Sequence, residues 1–109
     1  MASKQSTVEY ICEQIVQAGQ IRYRKMFGEY AIYCNEKVVA FVCDDQLFLK
    51  PTTAGRELIV DLEEAPPYPG AKMYYLISPD QWEDRDFMTQ LISATASELP
   101  LPKMKKKKR

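Results

Sequence analysis

The sequence contains no histidine. Histidine is the commonest acid–base catalyst in proteins and the commonest ligand of transition metals, so its absence excludes Ser-His-Asp and Cys-His catalysis. Only carboxylate, lysine or tyrosine side chains would remain for chemistry. We therefore predict a protein that is not an enzyme and has no catalytic or metal-binding residues.

Glycine-rich loops and long apolar runs are also missing. The four glycines are isolated from one another, so no phosphate-binding loop is formed and no cofactor is predicted. The longest apolar run covers residues 38–43, far short of the ~18 residues of a membrane-spanning helix. The N-terminal residues MASKQ contain no apolar block typical of a secretion signal. These features predict a cytoplasmic protein.

Cysteine is scarce and irregularly spaced. Cys12, Cys34 and Cys43 fit neither a Cys-x-x-Cys metal site nor the framework of a small secreted protein. We interpret them as reduced thiols that behave as small hydrophobic residues.

The charges are divided between a body and a tail. Residues 1–102 carry nine basic and 15 acidic side chains, a net charge of −6. The other six basic side chains are Lys103, Lys105, Lys106, Lys107, Lys108 and Arg109. We predict a single acidic domain over 1–102 and a disordered basic tail over 103–109. The tail is interpreted either as a solvated end or as a nonspecific nucleic-acid attachment.

The first half of the sequence predicts one helix followed by four strands. Residues 6–9 (STVE) have the form of a capping box, and apolar residues then repeat at helical spacing until Gly19. β-Rich runs at 21–26, 30–34, 38–43 and 47–50 are separated by connections of hairpin length, 35–37 and 44–46. The expected register places Tyr33 opposite Val39, and Ala40 opposite both Ile32 and Lys50. Residues 21–50 are thus predicted to form an antiparallel meander.

The second half adds a strand and two helices. A helix from Thr52 or Thr53 to about residue 62 precedes a proline-rich loop at 65–70 and a strand at 72–77. Ser78 and Pro79 are typical of a helix start, and a long helix should run from there to Pro100. The predicted fold class is α+β: an antiparallel sheet of about five strands packed by N-terminal, middle and long C-terminal helices.

Two groups of polar and aromatic residues have more than one interpretation. Glu29, Asp44 and Asp45 would bring carboxylates together at one end of the meander, although acidic pairs are also common in solvated turns. The sheet tyrosines, beside Arg22 and other basic residues, would stack nucleic-acid bases or pack the edge of the core. The tyrosines in question are Tyr23, Tyr30, Tyr33, Tyr74 and Tyr75.

Four ordered sequence blocks resemble a known family. They are residues 24–33 (RKMFGEYAIY), 40–42 (AFV), 47–50 (LFLK) and 73–75 (MYY). Together they are similar to the N-terminal domain of the TfoX/Sxy family of bacterial competence regulators, over roughly residues 8–95. We expect a stand-alone domain, because residues 1–109 contain no counterpart of the second, helical domain of those regulators. The lysine tail is outside the family pattern.

The resemblance implies a cytoplasmic bacterial protein without catalytic activity. Full-length relatives promote transcription of competence genes alongside the cyclic-AMP receptor protein, and many relatives consist of this domain alone. We expect protein–protein contacts, with transcription machinery or a regulator as partner, and a homodimer is possible through an exposed edge strand. The alternative is a nucleic-acid-binding accessory protein that uses the tail and the sheet aromatics. The residues assigned to the fold signature or to partner binding are Met26, Phe27, Gly28, Tyr33, Lys50 and Tyr75.

Overall fold

An antiparallel sheet of six strands carries the fold in the computed structural model, which describes residues 3–26 and 29–100. The strands are β1 Ile21–Met26, β2 Glu29–Cys34, β3 Lys37–Cys43, β4 Gln46–Leu49, β5 Glu63–Ala65 and β6 Tyr74–Ile77. Their order in the sheet is β1-β2-β3-β4-β6-β5. The predicted α+β class and the meander are confirmed, and β5 is an additional strand.

Four α-helices accompany the sheet in the described part of the chain. They are α1 Gln5–Gln14, α2 Thr53–Leu58, α3 Pro79–Trp82 and α4 Arg85–Glu98. A short 3-10 turn, Val16–Ala18, follows α1. The predicted middle helix was too long at its C-terminal end: α2 ends at Leu58, because the backbone is already extended at Ile59.

Both hairpin connections in the meander are one residue shorter than predicted. Asn35 and Glu36 form one turn, and Asp44 and Asp45 form the other, all with φ between 53° and 69°. Two left-handed residues in succession make a type I′ turn, whose twist matches that of the flanking strands. Lys37 and Gln46 consequently belong to strands and not to loops.

The register differs from the expected one at two places. The two-residue Asn35–Glu36 turn places Tyr33 opposite Val38 instead of Val39. A bulge on β3 then restores the expected register, so the pairing of Ile32 with Ala40 is confirmed. Ala40 pairs with Leu49 and not with Lys50, because the Asp44–Asp45 turn is shorter than the predicted loop.

One face of the sheet, here called the helix face, carries the core. Ile32, Val42, Leu47, Leu49 and Ile77 are completely or almost completely buried and point to this face. Apolar side chains of α1, of the residue that follows it and of α4 pack against them: Val8, Ile11, Ile15, Met88, Leu91 and Ile92. The opposite face, here called the open face, carries the cross-strand row Phe41, Phe48 and Leu76.

Helix α1 begins earlier than its capping-box pattern predicted. It starts at Gln5 with Lys4 at the N-cap position, and no local side chain accepts a cap hydrogen bond. The Asp45 carboxylate supplies the acceptor from the β3–β4 turn: Lys4 N donates to Oδ1 at 2.8 Å, and Thr7 Oγ1 donates at 3.0 Å. The turn therefore fixes the start of the first helix.

The predicted long C-terminal helix is divided into α3 and α4. α3 begins at Pro79 as expected, and the Ser78 N–H donates to Gln81 Oε1 at 3.1 Å. Asp84 then caps a new helix by accepting from Phe87 N at 3.1 Å. Trp82, the last residue of α3, is buried, and its indole N–H donates to the Ile77 carbonyl at 2.9 Å.

Glu98, near the end of α4, caps another helix. Its carboxylate accepts from Thr53 N and Ala54 N, both at 2.9 Å, at the beginning of α2. A negative charge is favourable at a helix N-terminus because unpaired N–H groups and the helix dipole meet there. The last turn of α4 is thereby joined to the start of α2.

The two long-range caps predict a pH-dependent stability. The Lys4 N–H lowers the pKa of Asp45 below its ordinary value of 3.8, and the Ala54 and Thr53 N–H groups lower that of Glu98 below 4.5. A lowered folded-state pKa means that the stabilisation is present above the ordinary pKa and is lost as the pH falls through the lowered one. We expect the melting temperature of the double variant Asp45→Asn/Glu98→Gln to vary by a few degrees less than that of the wild type between about pH 6 and about pH 3.

The control is Glu57→Gln, which removes an exposed carboxylate from α2. It should retain the pH dependence of the wild type in thermal melts. Identical pH slopes for the wild type and the double variant would contradict the assignment of these caps.

Candidate functional site

The loop between β5 and β6 crosses the open face of the sheet. Residues 66–69 share a groove with Glu29, Cys43 and Phe48, which belong to β2, β3 and β4. Phe48 lies on the open face but is only 3% exposed. The proline-rich loop therefore covers part of the open face, as a second layer opposite the helices.

A cavity of about 500 Å³, here called the loop cavity, lies between this loop and strands β1–β3. It is lined by Met26, Glu29, Tyr30, Phe41, Cys43, Pro67 and Tyr68. Phe41 on the open face and Tyr68 on the loop bring aromatic rings to the cavity, whereas the Tyr30 side chain points to the helix face. Only Glu29 is charged. An apolar concavity with few polar groups is typical of small-molecule sites.

Glu29 connects three parts of the chain through one carboxylate oxygen. Its Oε1 accepts from Ser3 N at 3.1 Å, from Ser3 Oγ at 2.6 Å and from Asp44 N at 3.1 Å. Ser3 Oγ also accepts from Asp45 N at 2.9 Å. The predicted meeting of Glu29, Asp44 and Asp45 thus occurs, but Glu29 and Asp45 are engaged with backbone N–H groups. Within residues 3–26 and 29–100, no three such side chains are arranged to hold a metal ion.

The thiols are poorly suited to nucleophilic chemistry. Burial, and secondarily the Glu29 carboxylate, raises the pKa of Cys43 to about 11. Burial and Glu9 raise the pKa of Cys12 to about 11, and burial also raises that of Cys34. All three remain protonated at neutral pH, whereas a nucleophilic cysteine needs its thiolate form.

The sheet tyrosines are divided between the two faces. Tyr23, Tyr30 and Tyr75 point to the helix face; Tyr75 is buried and donates to the Thr52 carbonyl at 3.3 Å. Tyr33 and Tyr74 lie on the open face, where the Arg22 guanidinium carbon is 4.0 Å from the centre of the Tyr33 ring. The five tyrosines therefore do not form one continuous platform for base stacking.

The predicted signature residues lie in different places. Met26 lines the loop cavity, and Tyr75 belongs to the core. The Tyr33 ring packs against the Arg22 guanidinium. Lys50 follows β4 and uses its backbone N–H to bond the Val39 carbonyl at 2.8 Å. Phe27, Gly28 and the tail residues 103–109 lie outside the described residues.

The sequence interpretation missed four residues of the loop cavity. Phe41, Cys43, Pro67 and Tyr68 come from β3 and from the proline-rich loop. The loop was predicted to be rigid and on the surface, but the pattern contained no signal for its position over the open face.

Strand β1 forms a basic edge of the sheet. It pairs only with β2 among the described residues, so its outer backbone edge is left open. Arg22, Arg24 and Lys25 are exposed along it. Arg22 pairs with Glu36 at 3.0 Å, while Arg24 and Lys25 form no ion pair within the described part of the chain.

The four α-helices of the described region have between 4 and 14 residues. None of them is long and apolar enough to cross a membrane.

The fold and the sequence place the chain in a defined class. Residues 13–99 match the TfoX N-terminal domain, and the chain belongs to that family. The antiparallel meander and the motif blocks at 24–33 and 47–50 lie within the matched region.

One relative is similar to nearly the whole chain. It is an uncharacterised 12.7 kDa protein in the trpE 5′ region of Spirochaeta aurantia, 43% identical over 108 residues. The alignment covers 99% of this chain and 93% of the relative, so the two proteins are similar in length as well as sequence.

Proposed function

We propose that this domain is a non-enzymatic regulatory module of the bacterial cytoplasm that acts through protein contacts in the control of transcription. Membership of the TfoX N-terminal domain family supports the regulatory part of the proposal. The single structural observation that carries the contact is the open, basic edge of β1.

The two edges of the sheet differ in their suitability for a partner. β5 has only three residues, and its Glu63 and Glu64 are exposed. Short, charged edge strands discourage pairing with another chain. β1 has six residues and a row of unpaired backbone groups, the geometry to which an extended peptide adds as a further strand.

Charge selects the kind of partner. Residues 1–102 have a net charge of −6, yet β1 carries Arg22, Arg24 and Lys25. An extended acidic segment of a transcription protein would complement this edge. The remainder of the body is acidic and would repel the same segment at other places. The proposed contact is therefore a β-strand addition with a negatively charged partner strand.

Affinity capture from the native bacterium tests the proposal. We expect the wild type to recover a component or regulator of the transcription machinery, identified by mass spectrometry. The double variant Arg24→Glu/Lys25→Glu should reduce recovery by roughly tenfold, because it reverses the charge of the edge without removing a buried contact.

The matched control reverses two exposed cations elsewhere, Arg56→Glu in α2 and Lys72→Glu before β6. It should capture the same protein as the wild type. Recovery of no transcription protein, or equal recovery by the β1 variant, would contradict the proposal.

The sequence-based alternative, attachment to nucleic acid, is favoured by one observation, the six basic side chains among residues 103–109. A chain truncated after residue 102, used in the same capture experiment, distinguishes this alternative from the β1 contact. Salt-sensitive capture of DNA or RNA that disappears with the tail would favour this alternative. Protein capture that survives the truncation would favour the β1 contact.

A further inference from the structure

We infer that the loop cavity binds a small organic cation, a molecule with an apolar or aromatic body and one positively charged nitrogen. The volume of about 500 Å³ lies in the range of small-molecule sites. This site is separate from the basic β1 edge, and the inference does not depend on the proposed protein contact.

The charge of the lining residues determines whether a positively or a negatively charged ligand is favoured. Glu29 is the only charged residue among those that line the cavity. Cys43 stays a neutral thiol, because its pKa is raised to about 11. A phosphate or carboxylate ligand would be repelled by the Glu29 carboxylate, and no lining residue would offer it a positive charge. Anionic ligands are therefore disfavoured and a cation is favoured.

The hydrogen bonds of Glu29 leave it able to accept one more donor. Ser3 and Asp44 both donate to Oε1, and no described residue donates to Oε2. Within the described residues, no lysine or arginine forms an ion pair with this carboxylate. A ligand ammonium would supply the missing positive charge and a charge-assisted hydrogen bond.

The remaining walls suit the body of such a ligand. Phe41 and Tyr68 supply aromatic groups, and Met26 and Pro67 add apolar surface. Aromatic rings attract cations through their negative faces, and they also cover an apolar body. Tyr68 is 58% exposed, which places it where a ligand would enter and be covered.

Three probes of similar size and different charge test the inference: benzylamine at neutral pH, benzyl alcohol and benzoate. Binding is measured by titration of the ¹⁵N-labelled chain, with amide shifts read in β2, β3 and at Tyr68. We expect benzylamine to bind most tightly and benzoate most weakly. The largest shifts should come from the cavity residues.

Two variants separate charge from shape. Glu29→Gln keeps the size and the Oε1 acceptor, and it should weaken benzylamine binding roughly tenfold while leaving benzyl alcohol unchanged. Glu36→Gln, an exposed carboxylate in the β2–β3 turn, is the control and should bind all three probes like the wild type. If Glu29→Gln does not fold, Tyr68→Ala provides the test, because its exposed ring can be removed without opening the core; it should weaken benzylamine binding.

Several results would overturn the inference. They are binding of benzoate as tight as that of benzylamine, an unchanged affinity in both Glu29→Gln and Tyr68→Ala, shifts confined to residues outside the cavity, and absence of binding at millimolar probe concentrations.

Discussion

Leu91→Ala will lower the free energy of unfolding by about 2–5 kcal/mol, a large part of the ~5–15 kcal/mol typical of a small domain. Leu91 is completely buried in α4, the helix that contacts α1, α2, α3 and the strands β2 and β3. Alanine favours helices, so the loss comes from the cavity and the missing apolar contacts and not from helix propensity. The measurement is urea unfolding followed by the fluorescence of Trp82, the single tryptophan.

Gln90→Ala is the matched control, because Gln90 is exposed on the same helix. It should change the unfolding free energy by less than about 0.5 kcal/mol, as surface substitutions usually do. If Leu91→Ala lay within that limit too, α4 would not be the centre of the core.

Gly19→Ala is expected to destabilise the domain by about 1–3 kcal/mol through overpacking. A Cβ at Gly19 would lie 2.8 Å from Asn35 Oδ1, 2.9 Å from Asn35 Nδ2 and 2.9 Å from Cys34 Sγ. Asn35 cannot move away without loss, because its Oδ1 accepts from Gln20 N at 2.9 Å and its N–H donates to Gln20 O at 2.8 Å. The change is measured by thermal and urea unfolding.

A double-mutant cycle identifies the clash as the cause. Asn35→Gly removes the two nearest side-chain atoms at a left-handed position that glycine tolerates. In that background Gly19→Ala should cost clearly less, with a coupling of about 0.5 kcal/mol or more. Gln17→Ala, an exposed change in the preceding 3-10 turn, should be nearly neutral. An equal cost in both backgrounds would exclude a clash with Asn35.

The parts of the fold that were predictable depend on neighbouring residues. The strand runs, the turn residues and the Ser78-Pro79 helix start are each encoded within a few consecutive residues. The structure confirms these elements. The exact turn length was not predictable, because Lys37 and Gln46 are acceptable both in a loop and at the start of a strand. One such residue changes the register of a whole strand.

Features that depend on distant partners were not predictable. Asp45 caps α1 from 41 residues away, and Glu98 caps α2 from 45 residues away. A local motif indicates a cap only when the acceptor is adjacent in sequence. This also explains why the capping-box form of residues 6–9 misplaced the start of α1.

The candidate site was only partly predictable for the same reason. Met26 was singled out by its motif, and Glu29 by its position near the acidic turn. Pro67 and Tyr68 reach the cavity through a loop whose path is set by tertiary packing. Since hydrophobic and proline-rich patterns carry no information on which strand a loop will cross, the cavity could be found only in three dimensions.

The strand order also has a kinetic consequence. β1 to β4 are neighbours in both sequence and space, so their pairing closes short loops at a small entropic cost. β6 can join β4 only after the chain from residue 50 to residue 73 has closed, and the loop over the open face comes into place with it. We expect the meander to form early, and the loop at residues 66–73 to be the first segment to open under native conditions. Brief opening of the segment would give a ligand its way into the loop cavity while the core stays folded.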